Sequence, residues 1–236
     1  MHPTKTEGTE YYHRVVDCQW ACPAHTDVPE YIRLVAQGRF TDAYLLNRRS
    51  NVFPGILGRV CDRPCEPACR RTRVEERPVA ICRLKRVAAD NREDVQALLP
   101  SAPAEPNGKR IALVGAGCAS LTVANDLIPL GYECVMFEAL DKPGGLMRSN
   151  IPAFRLPASV LDEEIAYITD MGVDLKLSTP IESMRALLAE DFDAIFVGTG
   201  APKGKNLKIP GRDDSDRIHI GIAWLESIAF GHTRRV

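Results

Sequence analysis

The sequence predicts an α+β protein of two domains, an α-helical domain followed by an α/β domain with a parallel sheet. Three observations support this prediction. Cysteines and helical patterns fill residues 1–99, a proline-rich segment occupies 100–109, and short apolar runs alternate with helical patterns over 110–236. Such alternation is typical of a parallel sheet with helices on both faces, and the proline-rich segment is typical of a linker.

Composition excludes several classes of function. The chain has 236 residues and a net charge of −1, so no global field favours nucleic acid or an anionic membrane. No apolar run reaches the roughly 18–20 residues that span a bilayer. The N-terminus has no apolar core, so we expect no secretory signal. These features predict a soluble, cytoplasmic protein without a nucleic-acid partner.

The first domain is predicted to begin with a tail over 1–17 and to contain three helices. Asp27 is an N-cap candidate for the first helix, which Gly38 ends. A second helix opens at Thr41, and a third covers 78–94. The first two helices are expected to act as a spacer that brings distant cysteines together.

Six of the eight cysteines lie in the first 82 residues. Disulfides are typical of secreted chains, so clustered cysteines in a cytoplasmic protein favour a metal site. Pro64 and Pro67 interrupt one group, so its cysteines cannot lie on one regular helix. Closely spaced thiolates with remote ones favour a [4Fe–4S] cluster over its competitor, zinc. The candidate ligands are Cys18, Cys22, Cys61, Cys65, Cys69 and Cys82.

The second domain opens with a predicted strand–turn–helix–strand unit. An apolar strand ends at Gly115, which allows a tight turn, and Gly117 lets the backbone approach phosphates. The second strand ends at Glu138, which can accept a hydrogen bond from a ribose hydroxyl. Ser120 replaces the third glycine of the fingerprint. The unit therefore predicts a Rossmann-like dinucleotide site.

The remaining elements extend this sheet. A structured loop follows Gly144 and Gly145, and a strand over 193–197 leads into a second glycine turn at Gly198. The other predicted elements are helices over 159–171, 183–189 and 223–230 and a strand over 173–177.

An ordered series of motifs runs along the chain. The motifs are Cys22-Pro23, Gly58-Arg-Val-Cys61, Cys65-Glu66 with Cys69, Pro78-Val-Ala-Ile81, Val114-Gly-Ala-Gly117, Phe137-Glu138, Gly144-Gly145-Leu146, Ile151-Pro-Ala-Phe-Arg-Leu-Pro157 and Gly198-Thr-Gly200. This series resembles the N-terminal half of the glutamate synthase small (β) subunit type of flavoprotein, and it also resembles the N-terminal module of dihydropyrimidine dehydrogenase.

The resemblance implies an N-terminal helical domain with two [4Fe–4S] clusters, followed by an FAD-binding domain. It implies that the FAD pyrophosphate lies along the first glycine turn, the ribose at the acid and the flavin beside the later loops. The implied FAD contacts are Gly115, Ala116, Gly117, Ala119, Ser120, Leu121, Glu138, Gly145, Leu146, Arg155, Thr199 and Gly200.

Two departures from the family's pattern change the expected cluster count. The family's upstream cysteine pair is absent, with Glu10 and His13 in its place. Lys85 stands where the family has a Glu or Gln ligand, and Cys82 lies three residues earlier on the same helical face. We favour one cluster on Cys22, Cys61, Cys65 and Cys82. The alternative is two clusters, with Cys18 and Cys69 completed by His13 or another subunit.

The predicted function is that of an electron-transfer subunit of an FAD- and iron–sulfur-containing oxidoreductase. The sequence stops at Val236, where the family's NAD(P)H domain would begin, so the FAD-binding domain is expected to be incomplete. The expected partners are catalytic or NAD(P)H-binding subunits of one complex. The alternatives are an iron–sulfur relay subunit with a vestigial flavin site and a subunit that binds NAD(P)H directly. No residues stand out as catalytic.

Overall fold

The structure, a computed structural model, describes residues 16–206, 208–212, 214–215 and 217–233. Nearly all of the predicted tail, including Glu10 and His13, lies outside these residues. The chain divides into two compact units, Met1–Ala97 and Leu98–Val236.

Helices build the described part of the first unit. Asp27 caps the second helix, since its Oδ1 accepts a hydrogen bond of 3.3 Å from the Glu30 amide, and the helix ends before Gly38, whose φ is +73°. The α-helices are α1 (Asp17–Ala21), α2 (Val28–Ala36), α3 (Phe40–Arg48), α4 (Pro54–Val60) and α5 (Ile81–Asp90), with 3₁₀ turns at Arg70–Arg73 and Gln96–Leu98.

Helix α5 is the centre of this unit, because it packs against α2, α3 and α4. The crossing with α4 is close at Gly58, where a Cβ atom would lie 2.8 Å from the Arg86 backbone. The shared core contains Val28, Tyr31 and Ile81 together with one cysteine, Cys65. The hydrophobic core therefore includes a candidate metal ligand.

The second unit contains the elements β1 (Arg110–Val114), α6 (Cys118–Leu127), β2 (Glu133–Phe137), α7 (Leu146–Ser149), α8 (Ala158–Thr169), β3 (Asp174–Lys176), α9 (Met184–Leu187), β4 (Ala194–Val197) and α10 (Gly221–Ala229). A 3₁₀ turn, Ile128–Leu130, follows α6. The four strands form a parallel sheet in the order β3-β2-β1-β4.

Both faces of the sheet are covered. Ala112 and Val114 of β1 pack on one face against Leu187 of α9, and helix α6 packs against β1 and β2. Strands β2 and β3 lie on one side of β1 and β4 on the other, so the strand order reverses between β1 and β4. Open parallel sheets bind ligands at such a switch point, beyond the carboxyl ends of the strands.

The predicted α-helical N-terminal domain and the predicted parallel sheet are confirmed. Three short helices were not predicted, α1, α4 and α7, and the helix predicted over 78–94 is shorter, at Ile81–Asp90. Among the helices that the described residues form, none is long and apolar enough to cross a membrane.

Candidate functional site

The six N-terminal cysteines come from four separate segments of the first unit. Cys18 lies in α1, and Cys22 follows that helix directly. Cys61 follows α4, and Cys82 lies in the first turn of α5. The other two, Cys65 and Cys69, lie in the turns between Cys61 and the Arg70–Arg73 helix. All six are free thiols, so the structure pairs none of them in a disulfide.

Electrostatic contacts divide these thiols into two groups. Burial, together with smaller contributions from the charges of Cys61 and Cys22, raises the pKa of Cys65 to about 11. Burial also raises the pKa of Cys82, and the charge of Cys61 adds to that effect. These contacts connect the four sulfurs of the favoured cluster.

The second group is the pair Cys18 and Cys69. Burial raises the pKa of Cys18, and the charge of Cys69 adds to that effect. The structure thus brings these two thiols together but does not place His13, the third residue considered for this site, because His13 lies outside the described residues.

The four-cysteine group offers four free thiol sulfurs. Cysteine thiolates are the ligands that hold [4Fe–4S] clusters, so this donor set matches that group. In the described ranges, no three His, Cys, Asp or Glu side chains lie close enough together to hold a single metal ion. The choice of Cys22, Cys61, Cys65 and Cys82 as cluster ligands remains a prediction.

Polar groups contact three of these sulfurs. Although burial opposes it, hydrogen bonding by Thr26 lowers the pKa of Cys22, and Thr26 Oγ1 lies 3.6 Å from Cys22 Sγ. The Arg63 amide donates to Cys61 Sγ over 3.3 Å. The Cys82 thiol donates to two carbonyl oxygens of α4 at 3.4 Å, bonds that a metal-bound thiolate would give up. Such hydrogen bonds to sulfur influence cluster potentials.

Tyr31 and Glu66 hold the segment that carries Cys82 in place, a role that the sequence did not predict for either residue. The Tyr31 hydroxyl, fully buried, donates to the Ile81 carbonyl over 2.7 Å. Glu66 Oε1 accepts a hydrogen bond of 3.1 Å from the Cys82 amide at the start of α5. A carboxylate at a helix N-terminus satisfies an otherwise unpaired amide and complements the helix dipole. The sequence offered one indication of such a partner, because Ala80, the N-cap residue of α5, has no side chain that could cap the helix.

In the second unit, glycines bring the two turns of the predicted dinucleotide site into contact. Gly115 has a φ of +94°, and a Cβ atom there would lie 2.7 Å from the Gly198 carbonyl oxygen. A Cβ atom on Gly145, whose φ is +51°, would lie 2.9 Å from Gly117 Cα. Only glycine allows these approaches. The turns after β1 and β4 and the loop before α7 therefore form one backbone cradle beside the N-terminus of α6.

Glu138 already stabilises this cradle from within. It is 7% exposed, and its carboxylate accepts hydrogen bonds from the Ala116 amide at 2.7 Å and the Leu140 amide at 3.0 Å. A carboxylate has about four acceptor sites, so a ribose hydroxyl could still donate to it. The sequence did not predict that the Glu138 carboxylate would bond to backbone amides of the glycine turn.

Ser120 is also directed inward. Its side chain is fully buried, its hydroxyl has no hydrogen-bond partner among the described residues, and it lies against Gly198. The remaining predicted contacts differ in exposure. Ala116 and Leu121 are buried, Gly115, Gly117 and Gly145 are half-buried, and Ala119, Leu146, Arg155, Thr199 and Gly200 are exposed. The FAD contacts remain predictions.

The region that contains the six cysteines matches a known protein family. Residues 12–97 match the family model described as dihydropyrimidine dehydrogenase domain II, 4Fe-4S cluster. The NADPH-Fe(3+) oxidoreductase subunit beta of Geobacter sulfurreducens is 38% identical over 93% of this chain and 34% of its own length.

Two further relatives are named for different activities. The glutamate synthase [NADPH] small chain of Bacillus subtilis is 34% identical over 86% of this chain and 41% of its own length. The PreT subunit of NAD-dependent dihydropyrimidine dehydrogenase from Salmonella typhimurium is 33% identical over 89% of this chain and 51% of its own length. These relatives are all oxidoreductase subunits.

A solved structure, 6-hydroxypseudooxynicotine amine oxidase from Pseudomonas geniculata, matches 78% of this chain and 30% of its own, with 19% identity and a TM-score of 0.41, too low to support an argument. The chain spans about a third to a half of the length of the curated relatives named above. Residues 12–97 thus match the 4Fe-4S family of dihydropyrimidine dehydrogenase domain II, and the chain is similar, over part of their length, to glutamate synthase small chains and PreT subunits.

Proposed function

We propose that this chain is an electron-transfer subunit of an FAD- and [4Fe–4S]-containing oxidoreductase. The observation that carries the proposal is the group formed by Cys22, Cys61, Cys65 and Cys82 within a region that matches a 4Fe-4S family. Bound FAD would exchange a hydride for single electrons, which a bound cluster would pass on one at a time.

The chain's own residues supply placement. The Cys22, Cys61, Cys65 and Cys82 sulfurs would hold one cluster, partly shielded from water. Two clusters, the second on Cys18 and Cys69, are the alternative. We propose domain limits of 1–99 and 110–236, with the cysteine site in the first.

The FAD site is proposed at the backbone cradle. Gly115, Gly117 and the first turn of α6 would face the pyrophosphate, whose negative charge suits the free amides of a helix N-terminus. Glu138 would accept from the ribose, and the exposed Arg155 and Thr199 would lie toward the flavin. Gly145 lies close to Gly117, and Gly198 lies close to Gly115. These contacts support the placement, because glycines leave no side chains between the turn and a bound pyrophosphate.

The proposed partners are catalytic or NAD(P)H-binding subunits, with which the chain would act in the cytoplasm. The names of the relatives support this, since those from Geobacter and Salmonella are called subunits. A second candidate is an iron–sulfur relay subunit without flavin. The engagement of Glu138 with backbone amides and the burial of Ser120 favour it.

Anaerobic purification with iron, sulfide and flavin analysis tests both candidates. We expect about four irons per chain for one cluster. Cys65→Ala should lose the iron, whereas Cys134→Ala, a buried strand cysteine outside the group, should keep it. A colourless wild-type protein without iron would refute the proposal. Iron without flavin, also in the intact complex, would favour the relay function.

A further inference from the structure

Lys85 is a buried cation on the cysteine-bearing face of α5. Its side chain is 7% exposed, and it follows Cys82 by three residues, so both lie on one face of the helix. Within the described part of the chain, no hydrogen bond or ion pair involves its ammonium group. A positive charge at the edge of the protein interior interacts with nearby negative charge more strongly than it would in water.

The cysteine group is the source of negative charge that Lys85 faces. The positive charge of Lys85 acts to lower the pKa of Cys22, Cys65 and Cys82, although burial is the larger influence on each thiol. Three of the four proposed ligands thus lie within the field of one ammonium group. Thiolates that hold an iron–sulfur cluster carry net negative charge, and this charge would compensate Lys85.

The positive sign of the Lys85 charge affects electron transfer by the cluster. One-electron reduction adds one negative charge to the cluster and breaks no bond. A nearby positive charge stabilises the reduced form more than the oxidised form, and the effect is strong where water is excluded. Lys85, Ala88 and Ala89 are all buried residues of α5, so little water reaches this face of the helix.

We propose that Lys85 raises the reduction potential of the cluster held by Cys22, Cys61, Cys65 and Cys82, as its buried counter-charge. The inference rests on the proposed function, because it requires that cluster. It goes beyond that function by assigning the driving force for electron transfer to a residue that is not a ligand.

The test is an anaerobic redox titration of the full chain, followed by electron paramagnetic resonance, after iron and sulfide have been measured in each variant. Lys85→Met removes the charge and adds no oxygen ligand, which Gln or Glu at this position would do, and Lys85→Arg keeps the charge. The matched control is Arg83→Gln, which removes an exposed charge from the same helix.

We expect Lys85→Met to lower the ratio of reduced to oxidised cluster at least tenfold at the wild-type midpoint, which corresponds to 59 mV for one electron. Lys85→Arg and Arg83→Gln should change it less than threefold. Equal midpoints for wild type and Lys85→Met, with iron present in both, would overturn this inference alone. Absence of iron from the wild type would overturn the proposed function and the inference with it.

Loss of the cluster in a Lys85 variant is also informative. If Lys85→Met loses iron while Lys85→Arg keeps it, and circular dichroism shows that both are folded, the counter-charge role is supported. If Lys85→Arg loses iron while the neutral Lys85→Met retains it with the wild-type midpoint, the charge has no role and the proposal fails.

Discussion

Replacing Gly198 by alanine should destabilise the second unit through a single contact. The φ of Gly198 lies outside the left-handed region, so alanine adds no backbone strain there. Its Cβ atom would, however, lie 2.2 Å from Ser120 Oγ and 3.0 Å from the Phe196 ring. Overpacking of this kind typically costs about 1–3 kcal/mol, and we expect a loss of about 2 kcal/mol in the free energy of unfolding.

The partner residue makes the prediction specific. Ser120→Ala removes the oxygen that the new Cβ atom would meet, and it also removes a buried hydroxyl without a partner, which costs about 1–3 kcal/mol when unsatisfied. Ser120→Ala alone should therefore stabilise the unit by about 1 kcal/mol. The double variant should recover most of the loss, giving a coupling energy of about 2 kcal/mol in a double-mutant cycle.

Urea unfolding followed by fluorescence measures these changes. The chain has two tryptophans, so a Trp20→Phe background leaves Trp224 as the reporter in the second unit. Gly221→Ala is the matched control, because a Cβ atom there meets nothing within 4 Å. A loss below 0.5 kcal/mol for Gly198→Ala, or equal losses with Ser120 and with alanine at position 120, would refute the reasoning.

Two further predictions concern the first unit. In cluster-free protein at pH 8, iodoacetamide should modify Cys22 about tenfold faster than Cys65, because the pKa of Cys22 is lowered and that of Cys65 is raised to about 11, while lower nucleophilicity offsets part of the thiolate excess. Peptide mass spectrometry measures this, and equal rates in the folded protein would contradict it. Glu66→Ala should lower the free energy of unfolding of this unit in urea by about 1–3 kcal/mol, because the Cys82 amide loses its acceptor. Glu66→Gln should cost less. An unchanged urea midpoint for both variants would count against a stabilising role of Glu66.

The sequence predicts most elements whose ends carry local signals. Asp27 and Gly38 delimit α2 by capping and by left-handed backbone, which short sequence patterns reveal. Helix α4 was missed because Gly55 and Gly58 oppose helix formation locally, and only packing against α5 explains their presence.

The candidate site was predictable to a similar extent. The cysteine spacing and the glycine turn identify the residues, but not their neighbours. The hydrogen bond between Glu66 and the Cys82 amide joins positions 16 residues apart, and the contact between Ser120 and Gly198 joins positions much further apart. Such contacts depend on tertiary packing, which local propensity does not encode.

The four-segment origin of the cysteines has a consequence for folding. A group bound to Cys22 and Cys82 would join positions that are 60 residues apart in the sequence. A crosslink of that span restricts the unfolded chain and so stabilises the folded one, as metal binding does when no site exists in the unfolded state. Loss of iron would then loosen helices α2 to α5 together, and assembly of the cofactor would be the last step that makes this unit cooperative.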